Sequence, residues 1–118
     1  MASLSDKQWL FLKDVAKLIT KAEQLGYKVT GGELYRPLFT QEHYIKTGRS
    51  KTMNSKHLSR LAIDLNFFIR DEKGKWKLTW SVDKIKPLGN YWESLDKKNS
   101  WGGSWNSFKD VPHFERRI

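Results

Sequence analysis

The run Leu61-Ala-Ile-Asp-Leu-Asn-Phe-Phe-Ile69 constrains this chain more than any other stretch. It is short, apolar and carries Ile and Phe, the composition of a buried β-strand. Asp64 points from within it, and His57 sits on the loop that enters it. A second short segment, Asp110-Val-Pro-His113-Phe-Glu115, again sets a His beside an Asp. The chain holds 3 His, and two of them lie in these segments.

Those residue types suit a borderline metal. Zinc takes imidazole nitrogen and carboxylate oxygen, and a catalytic zinc keeps three protein ligands plus an open position. His57, Asp64 and His113 supply such a set, and Asp110 is left over as a base. Residues seven apart on one helix lie ~10.5 Å apart along its axis, too far to share an ion. The chain must therefore turn between His57 and Asp64. Pro112 predicts an extended Asp110-to-His113 segment, since proline disfavours the α conformation in the residue before it. Asp110 and His113 then reach one cleft only if the backbone bends at Val111-Pro112. Spacing alone leaves two readings open: a hydrogen-bonded His–Asp pair, which is the commoner arrangement, and a metal site.

Resemblance separates them. Ser55-x-His57-x-x-x-x-Ala62-x-Asp64, then Trp101-Gly-Gly-x-Trp105 and Asp110-x-x-His113-Phe-Glu115, resembles the zinc peptidases that cleave peptidoglycan. That family joins D-alanyl-D-alanine carboxypeptidases with L-alanyl-D-glutamate peptidases and shares its fold with the hedgehog signalling domain. The likeness runs from about Tyr35 to Glu115. It implies an α+β fold, a small, mainly antiparallel sheet flanked by helices, over residues 1–118 as a single zinc peptidase domain. It also implies Zn2+ on His57, Asp64 and His113, Asp110 as general base, and Glu115 orienting a ligand from behind. Arg36 resembles the family's strand arginine that binds a substrate carboxylate or the developing oxyanion. Gln41 matches the following helix glutamine, and Ser55 matches the motif serine that contacts substrate. In Trp101-Gly-Gly-Ser-Trp105 the glycines let backbone approach closely, and both Trp101 and Trp105 would wall a cleft. The family pattern has Gly where this chain has Arg60, which bears on the local turn and not on the ligands.

Composition narrows the setting. No Cys is present, so disulfides and thiolate zinc sites are out of consideration, as for a protein made in a reducing compartment. The N-terminus shows no apolar stretch of signal-peptide type, and no run approaches the ~20 residues of a membrane span. The expectation is a monomer made in the cytoplasm without a signal peptide, reaching the cell wall after another protein permeabilises the membrane. With 118 residues, the chain has room for one core and none for a separate wall-binding module. The net charge of +9 favours an anionic partner: nucleic acid, anionic lipid or an acidic wall polymer.

Elsewhere the chain reads in short elements. Ser5-Asp-Lys-Gln8 fits a capping box with Leu4 and Trp9 as its staple, opening a helix from about Asp6 to Leu25 that Gly26 stops, with Leu12, Val15, Ala16, Ile19 and Ala22 at helical spacing as its core face. Tyr27–Thr30 and Glu33–Arg36 read as extended. A short helix through Gln41, His43 and Tyr44 ends before Gly48, with His43 structural or exposed, and residues 48–54 form a basic loop. Arg70–Lys75 predicts a hairpin turn with Trp76–Trp80 as the return strand. Ser81 caps a second helix that contains Pro87 and Gly89, and Asp96–Ser100 follows as a loop. Most of the 6 Trp are expected in the core, since aromatic rings carry large buried area.

The combined expectation is an endolysin-like enzyme hydrolysing the L-alanyl-D-glutamate bond of the peptidoglycan stem peptide, with no nucleic-acid partner. Three alternatives stand beside it. One is a D-alanyl-D-alanine carboxypeptidase or dipeptidase. Another, from a different class, is a basic nucleic-acid-binding module without catalysis, and a hedgehog-like domain that holds metal without turnover is a third.

Overall fold

The computed structural model describes residues 3–32, 60–106 and 109–117. Arg36, Gln41, His43, Ser55 and His57 lie outside these residues, as do the expected strand at 33–36 and the short helix after it. Among the described residues the protein is α+β, with two helices against one face of an antiparallel sheet.

Helix α1 spans Leu4–Gln24. Its capping box is real but begins two residues earlier than its sequence suggests. The Ser3 hydroxyl accepts from the Asp6 amide at 3.1 Å, and the Asp6 carboxylate accepts from the Ser3 amide at 3.3 Å. Ser5 falls inside the helix, and the expected Leu4–Trp9 staple is replaced by two exposed side chains. Gly26 stops the helix in the left-handed region, at φ +90°. Phe11, Val15, Leu18 and Ala22 recur on one face and are buried.

The first two strands among the described residues are β1 (Lys28–Gly31) and β2 (Ala62–Arg70), the latter being the predicted apolar strand. β2 organises the sheet. β1 pairs along one edge, while the other edge is shared by β3 (Trp76–Thr79) and β5 (His113–Arg116). The β2–β3 turn forms as read from the sequence. The Asp71 carboxylate accepts from the amides of Lys73 and Lys75, and Gly74 takes φ +78°.

Helix α2 (Val82–Leu95) is capped by the Ser81 hydroxyl, which accepts from the Lys84 amide. Its Gly89 is required by packing, because a Cβ there would lie 2.1 Å from the Trp101 ring. The segment after it is not simply a loop: Asn99–Trp101 forms strand β4 on the outer edge of β5. A 3-10 turn, Gly102–Ser104, follows.

Leu65 and Phe67 of β2 and Phe114 of β5 face the helices. The Trp92 ring meets Phe11 at 5.6 Å and Phe114 at 5.9 Å, both edge-on. Each such pair adds about 0.5–1.5 kcal/mol beyond its buried area. Asp14 is buried beneath them and accepts from the Asn99 amide at 3.1 Å, with Arg116 3.6 Å away. Of the tryptophans, only Trp92 and Trp101 are buried, so the expectation that most are core is overturned.

Candidate metal centre

Side chains alternate across a strand, so the neighbours of core-facing Leu65 point to the other side of the sheet. Asp64 is one of them. β5 pairs antiparallel with β2 in the register Asp64↔His113, which sets the two residues directly opposite each other. The His113 ring is buried, with Nδ1 3.4 Å from Asp64 Oδ1 and Nε2 2.8 Å from Glu115 Oε1.

Asp110 arrives by a turn and not by an extended segment. The His113 amide donates to the Asp110 carbonyl at 3.1 Å, the three-residue closure of a tight turn through Val111-Pro112. The expected extended conformation is thus corrected, and the bend that Asp110 and His113 need to share a cleft is present. Pro112 serves this arrangement from its other side, its carbonyl accepting from the Leu65 amide at 2.9 Å.

Close backbone approach holds the acids in place. The Gly102 carbonyl accepts from the Asp110 amide at 3.1 Å, and a Cβ on Gly102 would stand 2.1 Å from the Asp110 carbonyl oxygen. The Gly32 amide donates to the Asp64 carbonyl at 2.7 Å, and a Cβ there would come within 2.9 Å of that oxygen. These two glycines mark where the chain must press against the cluster.

Ligand atoms from Asp64, Asp110 and His113 all lie within 4.8 Å of one another. Two carboxylates and an imidazole at that separation form a donor set that suits a divalent cation. The imidazole also reports the local charge. Burial works to lower the His113 pKa, but hydrogen bonds and charge attraction from Asp64 and Glu115 override it and raise the value to about 9. A proton held between carboxylates is what a metal would displace.

The tryptophans of the glycine-rich segment divide. Trp105 lies beside the cluster, its ring centroid 5.3 Å from that of His113 and its Nε1 donating to the Ser100 hydroxyl at 2.9 Å. Trp101 instead enters the core, stacks on Phe114 and donates from Nε1 to the Val111 carbonyl at 2.7 Å. That bond braces the turn between Asp110 and His113.

Arg60, where the resembling family has Gly, takes φ +57°. The left-handed backbone explains the family's preference at that position, and this chain reaches it with a side chain attached. Sequence reasoning set Trp101 on a cleft wall, whereas its ring is buried in the core. It missed the Glu93 carboxylate, which accepts from the Trp101 amide at 3.1 Å and has no local signature. A cleft of about 570 Å³ at the far end of β2, lined in part by Arg70, Asp71 and Lys77, shares no residue with the cluster.

The chain is similar to known proteins in sequence and in fold. A family model described as D-alanyl-D-alanine carboxypeptidase matches residues 48–116. The chain is 34% identical over 102 residues to the L-alanyl-D-glutamate peptidase of Listeria phage A118, covering 84% of this chain and 34% of the phage protein. It therefore spans about a third of that relative's length. The fold is similar to the crystal structure of the Serratia marcescens L-Ala D-Glu endopeptidase ChiX, with a TM-score of 0.66 at 23% identity. That likeness covers 88% of this chain and 78% of the Serratia one.

Proposed function

The chain belongs to the D-alanyl-D-alanine carboxypeptidase family of metallopeptidases, and we propose that it is a zinc peptidase cutting the L-alanyl-D-glutamate bond of peptidoglycan stem peptides. The observation that carries this reading is the cluster of Asp64, Asp110 and His113 on the sheet face turned away from the helices. The names of the phage and Serratia proteins support the choice of bond.

His57, Asp64 and His113 are the proposed zinc ligands. Zinc, when bound, supplies a Lewis acid that polarises a carbonyl and acidifies water. Glu115 holds His113 from behind: by accepting a hydrogen bond from Nε2–H it keeps the proton there and leaves the Nδ1 lone pair of the neutral ring facing Asp64 and the cluster. Asp110 is the proposed general base, taking a proton from water and passing it to the departing amine, a role worth roughly 10²–10⁴-fold. Its carboxylate lies within the 4.8 Å cluster, and its backbone is fixed by Gly102 and the turn to His113. Trp105 shields one side of His113 and offers an apolar wall to substrate. Arg36, Gln41 and Ser55 are proposed substrate contacts, Arg36 for a carboxylate or the oxyanion.

Among the described residues no helix is long and apolar enough to cross a membrane. A monomer made in the cytoplasm and acting on the wall after permeabilisation is the proposed setting, supported by the phage origin of the relative.

The direct test is mass spectrometry of stem peptides incubated with the zinc-loaded protein. Release of a fragment beginning with D-glutamate is the expected product. Loss of a terminal D-alanine alone would reassign the chain to carboxypeptidase activity, the chemistry named by the matching family model. Intact peptides together with a metal-free, fully folded protein would overturn the peptidase reading.

A further inference from the structure

The face of β2 that carries Asp64 continues beyond the metal cluster. By strand alternation Asn66, Phe68 and Arg70 project on the same side as Asp64. The neighbouring strands add to it in register, Lys28 and Leu78 opposite Phe68, and Trp76 opposite Arg70. The result is a stripe leading away from the site along one strand.

Its composition is specific. Lys28 Nζ lies 4.6 Å from the Phe68 ring centroid and 5.5 Å from that of Trp76, and the Arg70 guanidinium carbon lies 4.5 Å from Trp76. The two cations are exposed, and the rings beneath them are half-buried. Both aromatic residues therefore hold charges in place rather than offering bare faces for stacking. Cations fixed over rings have lost rotamer freedom in advance, which lowers the cost of binding an anion. No acidic residue shares the stripe between Asn66 and Arg70 on β2 or between Trp76 and Leu78 on β3.

At ~3.3 Å per residue, Phe68 with its partner Lys28 stands about 13 Å along β2 from Asp64, and Arg70 about 20 Å. An extended peptide advances by a similar step per residue, so Lys28 stands level with a group about four residues from the bond at the metal, and Arg70, over the same Trp76 ring as Lys28, flanks that position.

We propose that this stripe is a substrate-binding extension of the site, which takes the carboxylate-bearing distal part of an extended peptide and recognises it through Lys28 and Arg70. The identity of the peptide as a wall stem rests on the peptidase reading above. The charge complementarity and the shared sheet face stand on geometry alone.

The test uses the zinc-loaded full chain, the double variant Lys28→Gln/Arg70→Gln, and two stem peptides that differ only in free or amidated distal carboxylates. Glutamine removes the charge and keeps the first two methylenes of each stem beside Phe68 and Trp76. The expected result is a KM raised roughly five- to tenfold for the carboxylated peptide with kcat within about twofold, and no change for the amidated one. Arg70→Lys should restore part of the loss. Equal effects on both peptides, or none on either, overturn the proposal. If the unmodified protein cleaves neither peptide, the peptidase reading fails on its own, and equilibrium binding of the same peptides then decides the stripe. A preference for the carboxylated peptide that disappears in the double variant supports it, and equal binding overturns it.

Discussion

Asp64 and His113 are cross-strand partners, set opposite each other by the β2–β5 register with 3.4 Å between Oδ1 and Nδ1. Because strand pairing fixes the separation of opposed side chains, this half of the candidate metal centre is set by the fold itself. The other acid, Asp110, is delivered by a turn and so depends on a different part of the fold.

That difference separates the two acids by experiment. Asp110→Asn removes the proton acceptor with little change in size. It should retain zinc while losing hydrolysis by ~10²–10⁴-fold. Asp64→Asn should instead weaken zinc itself, because a neutral amide is a poorer ligand than a carboxylate. Metal content and hydrolysis rate measured side by side decide the assignment. Zinc lost from the first variant and kept by the second would reverse the two roles.

Gly102 predicts a backbone effect on the same acid. A methyl group there would meet the Asp110 carbonyl oxygen at 2.1 Å, so Gly102→Ala must push the Asp110 turn away. A stability loss of about 1–3 kcal/mol is expected from the forced shift. Hydrolysis at a temperature where the variant is still folded should fall at least about tenfold, since misplacing a catalytic group by ~1 Å can cost ~10²-fold. Thermal melting and rate measured on one preparation check both.

The metal-free protein should show a pH-dependent stability centred on His113. Its folded pKa of about 9 stands above the ordinary value of 6.5, so protonation favours the folded state. This contribution is present in full below pH 6.5 and is lost as pH rises through about 9. Within that window each pH unit removes up to about 1.4 kcal/mol. Melting temperatures with chelator between pH 6 and pH 10 should fall accordingly, against little change when the site is saturated with zinc. Glu115→Gln removes one of the two anions and should move the fall to lower pH. A chelated protein whose melting temperature is flat over this range would show that the proton is not held between the carboxylates.

Arg60 allows a test of backbone strain. At φ +57° a side chain costs roughly 1–2 kcal/mol in an unfavourable case, and a β-branched residue costs more than an unbranched one. Arg60→Gly should therefore hold or raise the melting temperature, while Arg60→Val should lower it. A valine variant as stable as the glycine variant would mean that the turn relaxes out of the left-handed region.

Much of the architecture was legible in the residues themselves. The apolar run around Asp64 becomes β2, and Asp71 with Gly74 makes the hairpin; the helical spacing of Leu12, Val15, Ala16, Ile19 and Ala22 becomes α1, although Leu12 and Ala16 are exposed and Phe11 and Leu18 are buried in their place. Each rests on interactions within a few positions along the chain, where hydrophobic period and turn chemistry act directly. The pairing of His with Asp as a candidate site was legible too, from residue type and motif.

What only the tertiary structure decided concerns partners distant in sequence. Nothing near Asn99 announces that it will bond Asp14 or that its segment will become an edge strand of β5. Trp101 and Trp105 flank the same glycines, yet one ring braces the core and the other covers His113, because the 3-10 turn between them reverses their surroundings. Likewise Pro112 disfavours one local conformation, but the turn that carries Asp110 to the metal cluster is set by Gly102, Leu65 and Trp101 pressing on it from three separate elements. Local propensity is a preference shared among a few conformers; packing and strand register select one of them, and here that selection places Asp110, the proposed general base.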